Sequence, residues 1–237
     1  MENVTGLLGK KNKQILDGVL NEFKKIGYVM HVKVMSAENY GVPQKRRRTI
    51  FIGNRLGYET EFPNPTHGIS EKLKSLVTIE CAITDMKTED GKIFNHDIES
   101  AKISKELVRK RVEKIPEGKG IRYEKDEKEY LPKKLWLGID WDTMKEGRLR
   151  EEQYHRLGRD EVSPTIMTSR HTYFHPTETR YLTCREAAAI QSFPNNYEFL
   201  GSISQQWRQI GNAVPPLLGK AIGKVILKTI KTKKKAT

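Results

Sequence analysis

Arg46 and Arg48 follow a Gly41-Val42-Pro43 turn and Gln44, with Arg47 between them. In an extended chain, alternation puts Arg46 and Arg48 on one face and Arg47 on the other. Two guanidiniums on one face are fixed forks of donors, able to hold a phosphate or a base carbonyl by paired bonds. The same pattern also fits a solvated basic edge that discourages strand pairing. Three other segments carry chemistry-bearing side chains. Glu2-Asn3-Val4 offers a carboxylate close to the first residue. Residues 183–194 run Thr-Cys-Arg-Glu-Ala-Ala-Ala-Ile-Gln-Ser-Phe-Pro, and Gln209 to Pro216 runs Gln-Ile-Gly-Asn-Ala-Val-Pro-Pro.

The elements around these segments are legible in part. Ile15, Leu16, Val19, Leu20, Phe23 and Ile26 recur at helical spacing, and Gly27 stands where that helix would stop. Residues 28–34 read as a strand, and Thr49-Ile50-Phe51-Ile52-Gly53 as a short apolar strand. From about Leu56 to Asp160 the chain turns polar, charged and rich in loop signals such as Phe62-Pro63-Asn64-Pro65. Residues 100–114 suit a basic amphipathic helix. Trp136, Trp141 and Tyr154 are interleaved with Arg148, Arg150 and Arg156, a mixture suited to DNA groove and phosphate contacts. Thr183 and Glu186 form a capping box, which starts a helix over 185–191 that ends at Phe193-Pro194. A last helix follows Pro215-Pro216, with Leu217, Leu218, Ala221, Ile222, Val225, Ile226 and Ile230 at spacings of three and four.

Composition narrows the class. The 237 residues can bury one good core, or one core and a small second domain. Lys and Arg number 43 against 30 Asp and Glu, a net +13 that points to a polyanionic partner. Part of that excess is a lysine tail, Lys228 to Lys235, expected to be frayed and solvated. Cys81 and Cys184 lie far apart with no metal-type spacing, so neither a disulfide framework nor a metal site is expected. No run of about 18 apolar residues suggests a membrane span, and nothing at the N-terminus resembles a signal peptide. A reducing cytoplasm, or a bacterial nucleoid, is the expected location.

Taken in order, the four segments resemble late motifs of the DNA cytosine-5 methyltransferases. Glu2-Asn3-Val4 looks like motif VI, whose glutamate hydrogen-bonds the target cytosine and makes its ring electrophilic by proton donation. Gln44, Arg46 and Arg48 match the Gln-x-Arg-x-Arg of motif VIII, whose last arginine contacts the carbonyl oxygen of the flipped cytosine. Arg185, Glu186, Gln191, Phe193 and Pro194 match motif IX, a structural support of the target-recognition domain. His175, just upstream, reads as a structural hinge residue, and Asn95-His96 receives no role. Gln209 to Pro216 is similar to motif X, where Asn212, Ala213 and Val214 would line the S-adenosyl-L-methionine pocket.

The resemblance implies an α/β fold. Its expected form is the C-terminal part of an S-adenosylmethionine-dependent methyltransferase Rossmann-like sheet, with an inserted, mostly irregular or β target-recognition domain. The expected divisions are 1–57 for the catalytic part, 58–174 for target recognition and 175–237 for the return to the catalytic domain. The family's chemistry adds a cysteine thiolate to a flipped cytosine before methyl transfer. Neither its Pro-Cys pair nor its glycine-rich loop occurs in the sequence, where Cys81 follows Glu80 and Cys184 follows Thr183. The expectation is therefore an incomplete cofactor site and no activity without a complementing N-terminal methyltransferase polypeptide. Three origins remain open: a subunit of a split enzyme of a restriction-modification system, a truncated gene product, or a catalytically dead remnant that binds double-stranded DNA. RNA is the rival substrate within the same resemblance.

Overall fold

The computed structural model describes residues 1–57 and 59–236, with the side chains of Thr172 and of residues 232–236 outside the description. In chain order the first elements are β1 (Glu2–Val4), α1 (Lys13–Lys25), β2 (Val29–Ser36) and β3 (Arg47–Asn54). The middle holds α2 (Ile79–Ile83), α3 (Ile98–Ala101), α4 (Glu106–Val112), β4 (Ile121–Tyr123), α5 (Glu124–Tyr130) and β5 (Arg148–Gln153). The last three helices are α6 (Cys184–Ile190), α7 (Ile203–Asn212) and α8 (Pro216–Ala236). The architecture is mixed α/β.

The described chain divides into two compact units, one of residues Met1–Leu76 with Val214–Thr237 and one of Val77–Ala213. Residues 175–213, assigned by the sequence reading to a return segment, pack in the second unit. The reason is their apolar content: Leu182, Ala187, Ala188, Ile190, Phe199, Trp207 and Ile210 share a buried core with Ile79, Leu157 and Ile166.

In the first unit, β3 is the central strand of a three-stranded antiparallel sheet, ordered β1-β3-β2. Glu2 pairs with Ile50, Val4 with Arg48, and Met35 with Arg48 on the other side. Met1 extends the edge pairing, since its nitrogen donates to Phe51 O at 3.0 Å and its oxygen accepts from Phe51 N at 2.9 Å. The apolar residues of β2, β3 and the following turn, Met35, Ala37, Tyr40, Val42, Ile50 and Ile52, are covered by Leu218, Ala221 and Ile222 of α8. Both strands run longer than their apolar cores suggested. The Ser36–Arg47 pair extends the ladder into the polar flanks. Gly27 ends α1 with φ +84°, a left-handed position that glycine takes without strain.

Among the described residues the second unit has two smaller cores beside the one holding Ile79. Ile115, Ile121, Leu131 and Leu135 form one, with Tyr130, Trp136, Trp141 and Tyr154 packed on it. Ile103, Val112 and Phe174 form another. The helix expected over 100–114 is broken into α3 and α4. Lys102 is extended and makes an antiparallel bridge with Arg180, which removes it from any helical ladder. The lysine-tail expectation falls partly outside the description: the backbone is helical to Ala236, and nothing is described of the side chains of Lys233, Lys234 and Lys235.

Candidate functional site

The Gly41 turn aims Gln44, Arg46 and Arg48 inward. Gly41 has φ +84°, and a Cβ there would lie 2.8 Å from the His67 ring. The loop carrying His67 is tied down over that turn. Tyr40 Oη donates to Pro63 O at 2.8 Å, and Thr66 N and His67 N both donate to Asn39 O at 2.9 and 3.0 Å. After the turn, burial alternates. Gln44 is 0% and Arg46 2% exposed, whereas Lys45 and Arg47 face solvent. The alternation from Gln44 to Arg48 matches the one-face expectation.

Glu2 and Arg48 meet across the β1–β3 ladder. They lie on the same sheet face, one diagonal step apart, and Arg48 Nε stands 2.7 Å from Glu2 Oε1. Their side chains are 16% and 26% exposed for Arg48 and Glu2, so the pair is half-open to solvent. Arg46 is electrostatically coupled to both. Burial, then the neighbouring Arg48, pulls its guanidinium down to about 10, and Glu2 works in the opposite direction. It remains a cation at neutral pH. A guanidinium beside a carboxyl in its protonated form presents two donors, the complement of a pyrimidine's carbonyl oxygen and ring nitrogen, which both accept.

In the second unit the same residue types are closed in. Arg185 is 0% exposed and donates to Phe94 O at 3.0 Å, Pro194 O at 3.1 Å and Tyr197 O, with its guanidinium 6.0 Å from the Phe199 ring centre. Glu186 completes the expected capping box with Thr183 and accepts two bonds from Arg180 at 2.7 and 2.8 Å. Burial raises the Glu186 carboxyl, but the Arg180 bonds outweigh it and leave its pKa below the usual range. For Arg180, burial is likewise outweighed by Glu186 and Glu178, and the guanidinium is held above its ordinary value. His175 sits against this pair, its Nε2 3.6 Å from Glu186 Oε1, and burial is the main cause of its lowered pKa. Its Nδ1 accepts from Glu178 N at 3.1 Å.

Gln191 and Gly211 prepare the approach to Asn212. Gln191 is 0% exposed, and its Nε2 donates to Ile210 O at 2.7 Å. A Cβ on Gly211 would fall 2.5 Å from Met167 O, a close approach of two backbones that only glycine allows. Asn212 then ends α7 exposed, Ala213 is half-buried, and Val214 is 37% exposed.

The two cysteines have different surroundings. Burial pushes the Cys184 thiol up to about 12, which disfavours its thiolate. Cys81 is exposed and accepts from Thr78 Oγ1 at 3.4 Å. Among the described residues no group of His, Cys, Asp and Glu could hold a metal ion, and no helix is long and apolar enough to cross a membrane.

Several side chains expected to face DNA are structural. Trp136 Nε1 donates to Leu131 O at 3.1 Å and Trp141 Nε1 to Glu127 Oε2 at 2.8 Å. Arg111 bonds Leu135 O, Trp136 O and Tyr154 Oη. Arg156 is 9% exposed and donates to Val112 O. Of that aromatic and arginine set, Arg150 is the member open to solvent. Asn95, given no role in the sequence reading, is a hub. Its amide donates to Phe199 O at 2.8 Å and accepts from Phe199 N at 2.9 Å, and its oxygen O accepts from Arg185 N at 3.0 Å. A Ser202–Gln205 capping box starts α7, a Ser-x-x-Gln signal visible in the sequence.

Comparison with known proteins follows the same lines. The family model described as C-5 cytosine-specific DNA methylase matches residues 1–228. A type II methyltransferase of Haemophilus parahaemolyticus is 34% identical over 232 residues, which cover 96% of this chain and 56% of that protein. One from Neisseria gonorrhoeae is 35% identical over 222 residues, covering 91% and 54%. The chain thus spans about half the length of the curated relatives it matches. In fold, a prophage-encoded E. coli protein described as a candidate DNA modification methyltransferase superposes with a TM-score of 0.65 at 21% identity, covering 97% of this chain and 68% of that one.

Proposed function

The chain belongs to the C-5 cytosine-specific DNA methylase family, and we propose that it is the C-terminal portion or subunit of a type II DNA cytosine-5 methyltransferase. Members of the family use S-adenosyl-L-methionine. In this reading the first unit belongs to the catalytic Rossmann-like sheet and holds the target cytosine. The second unit recognises double-stranded DNA, and Asn212, Ala213 and Val214 hold one side of the cofactor. The Pro-Cys nucleophile and the glycine-rich loop come from a complementing N-terminal polypeptide, and the assembly works in a bacterial cytoplasm within a restriction-modification system.

The observation that carries this reading is the half-open Glu2–Arg48 pair at 2.7 Å over buried Arg46. A nucleophile adding to C6 of a cytosine ring drives electron density onto N3 and O2. A Glu2 carboxyl bonded at N3 supplies the proton there, and the Arg48 guanidinium holds O2 as its charge grows. Arg46 stays charged beneath them and steadies Arg48. Gln44 holds the turn. Bound S-adenosyl-L-methionine supplies the methyl group. Arg185, Glu186 and Gln191 keep α6 and α7 in place, so that Asn212 is presented at a fixed position.

The net charge of +13 also suits a second reading, a catalytically dead remnant that only binds DNA. One assay separates the two. The purified chain is mixed with the polypeptide encoded just upstream, and methyl transfer from labelled S-adenosyl-L-methionine to unmethylated duplex is measured. Activity in the mixture and in neither part supports the split enzyme. DNA binding with no transfer in any combination supports the remnant.

A further inference from the structure

The net charge of +13 is distributed unevenly. The second unit has 23 Lys and Arg against 23 Asp and Glu, so it is neutral. The first unit has 20 against seven and carries the whole excess. More than half of that excess is in α8, whose 21 residues include seven lysines and no carboxylate.

The described lysines of α8 form a row. Lys220, Lys224, Lys228 and Lys231 are all exposed and recur at spacings of four, four and three, which places them along one side of the helix. Successive members stand about 6 Å apart along the axis, and the row is ~16 Å long. That length matches about five phosphates of one DNA strand.

We propose that the lysine row of α8 is a sequence-independent docking rail for the phosphate backbone of duplex DNA, separate from the recognition unit. The proposal rests on the reading of the chain as a DNA-acting protein. An anionic membrane is the poorer occupant. The apolar stripe that would insert into lipid, Leu218, Ala221 and Ile222, is already packed on the sheet. The exposed apolar residues of the described α8 side chains, Leu217, Ile226, Leu227 and Ile230, are too few for a broad inserting face.

The test uses the full chain and a labelled mixed-sequence duplex of about 30 base pairs, with affinity followed from ~50 to ~200 mM salt. The variant replaces Lys220, Lys224, Lys228 and Lys231 together by glutamine, whose helix propensity is close to that of lysine. A companion variant replaces them by arginine. The glutamine variant is expected to flatten the slope of log affinity against log salt by about 3 and to bind more than tenfold more weakly at ~100 mM, with the arginine variant near the parent. A slope unchanged in the glutamine variant overturns the proposal. Amine acetylation read by mass spectrometry gives an independent check. Duplex should protect the α8 row more than exposed Lys11 and Lys13, and equal modification of both overturns it. Tighter binding to phosphatidylserine vesicles than to duplex overturns DNA as the occupant. Methyl transfer by the mixture with an unchanged slope sinks the rail alone. A lysine-dependent slope with no methyl transfer sinks the catalytic reading alone.

Discussion

Two carboxylate–guanidinium pairs of nearly equal length have opposite surroundings. Glu2–Arg48, on the sheet of the first unit, is 2.7 Å long with side chains 26% and 16% exposed. Glu186–Arg180, in the second, is also 2.7 Å long, with side chains 3% and 6% exposed. The buried pair is saturated: a bidentate contact, a capped helix, Glu178 and His175 use its polar atoms. The open pair leaves part of both side chains to solvent. Contact distance alone does not separate a structural ion pair from a binding site, whereas exposure and the count of satisfied atoms do. The charge census tells the same story at larger scale, with one unit internally neutralised and the other strongly cationic.

The sharpest way to break that comparison is to remove one partner from each pair. Arg180→Ala leaves the Glu186 carboxylate buried and uncompensated, and should cost about 3–5 kcal/mol of unfolding free energy in urea titrations. A loss below ~1 kcal/mol would mean the closed pair is not structural. Arg48→Ala should cost under ~1 kcal/mol by the same measurement, because a half-exposed pair contributes little. In the complemented enzyme it should lower the methyl-transfer rate by about 100-fold or more, with duplex affinity almost unchanged. Near-normal turnover would remove Arg48 from the chemistry.

Smaller effects sharpen the contrast. Gly211→Ala forces a methyl into the Met167 backbone and should destabilise the chain by ~1–3 kcal/mol, with thermal melting as the readout. An unchanged melt would show that the two backbones separate easily. The smallest effect expected is with pH. His175 has a folded pKa below its ordinary 6.5, so the unfolded chain binds the extra proton first and stability is lost as pH falls below about 6.5. The loss is at most about 1.4 kcal/mol per pH unit. Glu186, with a depressed pKa, adds a second loss at lower pH, as the medium falls through its folded value. Melting profiles of His175→Gln between pH 7 and 5 should be flatter than those of the parent. Equal slopes would exonerate the histidine.

What the sequence made legible was local. A glycine-proline turn followed by alternating residues foretold that Arg46 and Arg48 share a face. A Thr-x-x-Glu box foretold the start of α6. What stayed hidden was set by distant partners. Asn95 acquires its role from Phe199, 104 residues away, and Arg111 from Trp136 and Tyr154. Such pairings leave no periodicity to read. Trp136 and Trp141 looked like groove contacts because composition counts aromatics without saying where their N–H groups point. The helix over 100–114 failed because one bridge, Lys102 to Arg180, outweighed a favourable local pattern.

The second unit is one uninterrupted run, Val77–Ala213, whereas the first is assembled from residues on both sides of it. Leu218, 0% exposed in the first unit's core, is therefore synthesised after the whole of the second unit. At about 5–20 residues per second, the nascent sheet waits roughly 7–30 s on the ribosome for the helix that covers it. The second unit can fold in that interval, while the strands bearing Glu2 and Arg48 stay uncovered until α8 emerges. Within these residues, translation order thus makes the unit begun first the one completed last.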